Sequence, residues 1–183
     1  LVHAGDGTGW GRMREVNDWA RDLLRLPHAH KVVIAGNHDW AFQRLPEAAR
    51  EAMAGITYLQ DEEAAIMGLR FYGSPWQPEF ADWAFNLPRG PRLVETWARI
   101  PRGIDVLITH GPPHGVLDGV TDDDLAGCEA LREAILDKQP RIHVFGHIHE
   151  GYGEARLGNT RCFNASTCNG AYRPVNPPIV VDL

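Results

Sequence analysis

The sequence predicts a layered α/β domain, and two observations carry that prediction. Short apolar runs alternate along the chain with amphipathic segments, the pattern of strands covered by helices. Four of these runs, in "LVHAGD", "KVVIAGNHD", "VLITHGPP" and "HVFGHIH", end abruptly in Gly, His, Asp or Asn. Strands that stop in this way deliver polar residues to one sheet edge, where open α/β sheets place their ligands.

The elements follow in order. The chain opens on a strand in "LVHAGD", and Met13, Val16, Ala20 and Leu23 then recur at helical spacing, which predicts a helix over one sheet face. "KVVIAGNHD" is the next strand, and the residues from Ala41 onward read as helical. Ile56 to Gly73 reads as two short strands around an acidic turn at Asp61 to Glu63. After the strand in "VLITHGPP", Leu125, Cys128, Leu131 and Ile135 again keep helical spacing, behind caps offered by Asp122 to Asp124. "HVFGHIH" follows, then a hairpin turning at Gly158-Asn159, then a Pro-rich connection and a last strand in "RPVNPPIVVDL". With no internal repeat, linker or composition shift, residues 1–183 form a single domain, long enough to bury a core of its own.

Composition narrows the class. A formal net charge of -6 weakly opposes non-specific binding to long nucleic acid, since a bound pair of divalent cations would reverse the local sign. Cys128, Cys162 and Cys168 are odd in number and include no C-x-x-C pair, which suits buried apolar thiols in a reducing, cytoplasmic compartment better than a disulfide framework. No stretch is apolar enough to span a membrane, and no signal peptide is visible. The chain begins at Leu1, without an initiator Met and already inside a strand.

The chemistry gathers at the strand ends: Asp6, then Asn37-His38-Asp39, then His110, then His147 and His149. Carboxylate oxygen, amide oxygen and imidazole nitrogen make a mixed set suited to Mn, Fe or Zn rather than Ca. One histidine at a strand end is more often structural than a ligand. Five positions of this kind on successive strand ends reverse that preference. On an extended segment, residues two apart point the same way, so His147 and His149 should converge while Ile148 turns aside.

Gly5-Asp6, Gly36-Asn37-His38-Asp39, Thr109-His110-Gly111 and Gly146-His147-Ile148-His149 stand in the order and spacing of signature blocks. They resemble those of the calcineurin-like metallophosphoesterases. The small metallophosphoesterase-domain-containing branch is nearer still, through "FYGSPWQP", "FNLPRG", "IDVLITHGPP", "HVFGHIHEGYG", "NASTC" and "NPPIVVDL". This resemblance implies a four-layer α/β/β/α sandwich carrying two divalent metal ions. Asp6 would bridge the ions; Asn37, His110 and His147 would complete one, and His149 would bind the other. Such a pair would clamp a phosphoryl oxygen and acidify a bridging water to a hydroxide for in-line attack on phosphorus. His38 would be catalytic, stabilising charge on phosphorus or protonating the leaving oxygen. Asp39, or another acceptor, would orient that imidazole, the alternative for Asp39 being to cap the following helix.

One block of the family is absent: the chain contains no D-x-H. The resemblance therefore implies an N-terminally incomplete domain lacking its first strand, in which the ion bound by His149 is weakened. The function implied is a metal-dependent phosphodiesterase acting on small, cyclic-nucleotide-like phosphoesters. The alternative is a catalytically weak metal- or nucleotide-binding protein of the same fold.

Trp76 and Asn86 lie in loops placed to rim the site, where a base could stack on the indole. Packing of Trp76 against the core is the stronger reading. Thr8 and the Trp76 loop are candidates for setting leaving-group preference. His3 and His143, within apolar runs, read as structural, and His28, His30 and His114 as surface residues.

Overall fold

The computed structural model describes residues 1–121 and 124–183. Two of the three aspartates offered above as helix caps, Asp122 and Asp123, lie outside the described residues. Among those residues the chain opens with β1 (Val2–His3), α1 (Met13–Arg25), β2 (Val32–Val33), α2 (Trp40–Arg44), α3 (Pro46–Ala52) and β3 (Thr57–Tyr58). It continues through β4 (Glu62–Ile66), β5 (Leu69–Ser74), β6 (Gln77–Pro78), β7 (Asn86–Leu87), α4 (Pro91–Ala98) and β8 (Val106–Thr109). It closes with β9 (Gly119–Thr121), β10 (Asp124–Leu125), α5 (Glu129–Lys138), β11 (Ile142–Phe145), β12 (Gly153–Leu157) and β13 (Thr160–Asn164).

Two sheets carry the fold. The smaller has the order β1-β2-β3, all parallel, with Val2 opposite Val32 and Val32 opposite Thr57. The larger has the order β12-β13-β11-β8-β5-β4. Its four inner strands run parallel, and hairpins β4-β5 and β12-β13 supply the antiparallel edges.

Alternation along the strands sorts their side chains into three apolar layers. Val33 and Ala35 pack with Val16, Ala20 and Leu23 of α1, Phe42 of α2 and Ala49 of α3. Val32 and Ile34 point the other way, meeting Phe71, Val106, Ile108, Ile142 and Phe163 of the larger sheet. On that sheet's far side, Tyr72, Leu107, Phe145 and Cys162 meet Leu93 and Trp97 of α4 and Leu131 and Ile135 of α5. Helices, sheet, sheet, helices: this is the four-layer α/β/β/α sandwich. Each fully buried Leu, Ile or Phe in these layers contributes about 1.5–3 kcal/mol of transfer free energy.

Several sequence expectations are met and others need correction. Helix α1 begins at Met13, and the hairpin turns at Gly158-Asn159 between β12 and β13. Asp61 to Glu63 is not a turn between paired strands: Glu62 and Glu63 lie in β4, which pairs with β5 around Met67-Gly68. The reason is that β3 belongs to the other sheet, so Asp61, at φ 56°, marks the crossing between sheets. Helix α5 starts later than its apolar spacing suggests, because Leu125 is in β10 and the Cys128 sulfur accepts from the Leu131 N–H. No strand forms in residues 174–183, although Ile179 and Val181 pack against the layer between the sheets. No helix of the described residues is long and apolar enough to cross a membrane.

Candidate metal centre

The C-terminal ends of β1, β2, β8 and β11 bring Asp6, Asn37, His110 and His147 together. Asp6 leaves β1 through two consecutive left-handed residues, Gly5 at φ 94° and Asp6 at φ 59°, a reversal that a side chain at position 5 would obstruct. Its Oδ1 accepts from the His38 N–H at 2.9 Å. Gly36 lies beneath, where an added Cβ would come within 2.4 Å of Asp6 Oδ1 and 2.5 Å of His110 Cε1. Any larger residue there would close the cradle.

Asp39 builds the loop that presents Asp6. Its carboxylate, fully buried, accepts from the N–H groups of Asp6 (2.8 Å), Gly7 (3.3 Å), Thr8 (2.9 Å) and Gly36 (2.7 Å), and from the Thr8 hydroxyl (2.7 Å). Burial, together with the neighbouring charge of Asp6, pushes its pKa up to about 6 against the pull of those donors. Both sequence readings of Asp39 are thereby corrected. It stands at the N-cap position of α2 without capping it through its side chain, and the His38 ring takes its partner elsewhere. The physical reason is saturation: the hydrogen bonds recorded for its two oxygens all come from the Asp6 loop and Gly36.

At the centre, Asn37 Oδ1 lies 2.7 Å from His110 Nε2 and 2.9 Å from His147 Nδ1, and His110 Nε2 lies 3.3 Å from Asp6 Oδ2. The Ala4 carbonyl, 2.8 Å from His110 Nδ1, can only accept, so Nδ1 holds a proton. In the neutral ring, Nε2 is then a lone pair facing an amide oxygen and a carboxylate oxygen. Such a convergence is stable only with a positive charge among its members, from a proton or a cation. The electrostatics agree: burial opposes charge on His110, but the charge and hydrogen bond of Asp6, the Ala4 carbonyl and the charge of Asp39 together outweigh it and raise the imidazole's pKa. Burial likewise would raise Asp6, yet His110's charge and hydrogen bond hold its pKa well below the usual carboxylate range. Burial, followed by His110's charge, lowers His147 to about 3 and keeps it a neutral donor of lone pairs. Ligand atoms of Asp6, His110 and His147 all lie within 4.8 Å of one another. Donor chemistry, spacing and the opening over Gly36 fit a divalent cation.

His149 stands apart from this group. Strand β11 ends at Phe145, His147 takes a left-handed φ of 67°, and His149 starts a one-turn 3-10 helix. The expectation that His147 and His149 converge as alternate residues of an extended segment is therefore corrected. His149 instead lines the same cleft, with its ring 4.9 Å from that of Tyr172.

The cleft above the cluster has a volume of about 430 Å³, with Asp6, Asn37, His38, His147 and His149 among its lining residues. His38 Nδ1 lies 2.8 Å from the Gly9 carbonyl, and Trp83 packs against the ring at a centroid distance of 4.3 Å. Trp76 and Asn86 do not line it, which corrects their assignment to substrate. The Trp76 indole N–H donates to Asp61, and its rings meet Phe85 edge-on and pack against the two helix-covered layers, so it is engaged away from the cleft. The Asn86 amide donates to the carbonyls of Phe80 and Ala81. Thr8, engaged with Asp39 and Gly11, does not reach the cleft either. Sequence reasoning missed Gln77, Trp83, Arg89 and Tyr172, all cleft residues. Trp83 and Trp76 both sit in loops of mixed polarity, so nothing local distinguished the lining tryptophan from the packed one.

A family model described as calcineurin-like phosphoesterase matches residues 1–151. Human metallophosphoesterase domain-containing protein 1 is 46% identical over 208 residues, an alignment covering 100% of this chain and 64% of that protein. A UPF0046 protein of Caenorhabditis elegans is 36% identical over 213 residues, covering 100% of this chain and 54% of its own length. The chain thus spans less than two thirds of these relatives. Among solved structures, TT1561 of Thermus thermophilus shares the fold at a TM-score of 0.60 and 13% identity, covering 87% of this chain and 72% of its own. With the four-layer sandwich and a ligand cluster at its strand ends, these likenesses lead to one conclusion: the chain belongs to the calcineurin-like phosphoesterase family.

Proposed function

We propose that the protein is a metal-dependent phosphoester hydrolase, a phosphodiesterase acting on small, cyclic-nucleotide-like substrates. The observation that carries this reading is the convergence of Asp6, Asn37, His110 and His147 beside His38 on the wall of one cleft. Asp6, Asn37, His110 and His147 would hold one divalent ion, Mn, Fe or Zn, and His149 with Asp6 would serve a second, weaker one. A bound divalent ion withdraws charge from phosphoryl oxygens and lowers the pKa of water. The chain's own residues do the rest. Asp39 fixes the loop that aims the Asp6 carboxylate. The Gly9 carbonyl holds the His38 proton at Nδ1, which leaves Nε2 to serve the substrate. In the doubly protonated ring, with Nδ1–H held by Gly9 and a second proton on Nε2, His38 would stabilise charge on a phosphoryl oxygen through that Nε2–H or deliver that proton to the leaving oxygen.

Cleft size and charge favour a small substrate. A volume of about 430 Å³ falls in the range of small-molecule sites. Among the described lining residues Arg89 is the one Arg or Lys, and its guanidinium is already engaged by Glu129 and the carbonyls of Ala126 and Gly127. Glu79, Asp124 and Glu150 line the same cleft, an arrangement unlike the basic groove that tracks long nucleic acid. The test is manganese-dependent hydrolysis of a chromogenic phosphodiester beside the matching monoester. Turnover should fall by about 10²- to 10⁴-fold in His38→Ala while manganese still binds. Unchanged turnover in that variant, or none in the full-length protein, would overturn the reading.

A further inference from the structure

Trp83 packs against His38, a cleft imidazole outside the ligand cluster. Its rings lie 4.3 Å from His38, centroid to centroid, inclined at 41°. Trp10 also lies near Trp83, 6.5 Å away at 30°, and is 68% exposed. A hydrogen bond from Nδ1 to the Gly9 carbonyl fixes where one atom of the His38 ring sits. It leaves the ring free to rock about that contact, and the indole packed against it restricts this freedom.

The loop that carries Trp83 is itself braced toward His38. The Ala84 N–H donates to the Asn37 carbonyl at 3.1 Å, joining the residue after Trp83 to the residue before His38. The Phe85 N–H donates to Gln43 Oε1 at 2.8 Å, anchoring the loop on α2. Ala84 and Phe85 are fully buried. Asn86 ties the loop's entrance by donating to the carbonyls of Phe80 (3.1 Å) and Ala81 (3.0 Å). A surface loop with this many internal ties presents its side chain in one place. That place is against His38.

We propose that Trp83 is a positioning residue that holds the His38 ring in its working orientation, with Asn86 bracing the loop that delivers it. The inference rests on the phosphoester hydrolase reading and on His38's role in it. A ring displaced by about 1 Å from its productive position can cost on the order of 10²-fold in rate. Trp83→Ala should therefore lower kcat by about 10- to 100-fold with KM little changed, and Trp83→Phe should restore most of the loss by keeping an aromatic face.

The deciding experiment is a double-mutant cycle in the full-length protein with manganese: wild type, Trp83→Ala, His38→Ala and the double variant, each assayed on a chromogenic phosphodiester. If Trp83 acts through His38, Trp83→Ala costs nothing further once His38 is gone. A second readout needs neither metal nor turnover: the His38 Cε1–H resonance, shifted by the indole ring current, should move toward its free-chain position in Trp83→Ala and stay shifted in Trp83→Phe. Multiplying losses in the cycle, or a raised KM in both backgrounds, would make Trp83 a substrate contact and overturn the proposal. A Trp83→Ala variant as active as wild type would overturn it too. If His38→Ala were itself as active as wild type, the broader reading would fail instead.

Discussion

Asp39 accepts five hydrogen bonds, four of them from groups 31 to 33 positions away in sequence, and its replacement tests the cradle residue by residue. Asp39→Asn turns one acceptor into a donor that must face N–H groups in a fully buried site. The expected cost is about 1–3 kcal/mol of stability, with weaker manganese binding because Asp6 loses its fixed loop; thermal melts with and without the ion read both. Gly36→Ala should keep the strand but abolish manganese binding, since its Cβ would press on Asp6 and His110; isothermal titration checks this. Asp6, Asn37, His110 and His147 were legible in the sequence because each is a polar residue closing an apolar run. The work of Asp39 was not, since its partners lie in a different loop. Nor was Trp83, whose partner is named only by the fold.

Among the elements, β11 and β8 are locked by a polar contact within their shared layer. His143 Nε2 lies 2.7 Å from the Thr109 hydroxyl, which itself donates to the Gly111 carbonyl, so the histidine's Nε2 supplies the proton between them. Its other nitrogen has no partner among the described residues, and burial lowers its pKa to about 3. The native state therefore binds fewer protons than the unfolded chain, whose histidines titrate near 6.5. Stability from this group is complete above that value and is lost as pH falls toward 3. Between pH 7 and pH 5 the loss is about 2 kcal/mol. His143→Gln should flatten the stability profile by that amount, as measured by urea unfolding; an unchanged slope would contradict the assignment. His143 was legible as structural from its apolar run, and α1 and the β12-β13 hairpin from their spacing and turn. The bend at His147 was not. Period-2 reasoning assumes the strand continues, and this one stops two residues earlier.

Across the whole molecule, inner strands such as β2 and β8 are apolar on both faces because each serves two layers, one against helices and one against the opposite sheet. Alternation is erased in such runs, so the division into two sheets could be inferred only through the family resemblance. Ile108, fully buried between the sheets, is the corresponding test: Ile108→Ala should cost about 2–5 kcal/mol. Four strand ends drawn from both sheets bring Asp6, Asn37, His110 and His147 into one cluster, and everything proposed for His38 and Trp83 depends on that assembly. Anomalous diffraction at the manganese edge, from crystals grown with the ion, locates the cation without any assay of turnover. The strongest peak should lie among Asp6, Asn37, His110 and His147, with any second, weaker peak toward His149. A strongest peak elsewhere, or no peak within reach of those four side chains, would contradict the assignment.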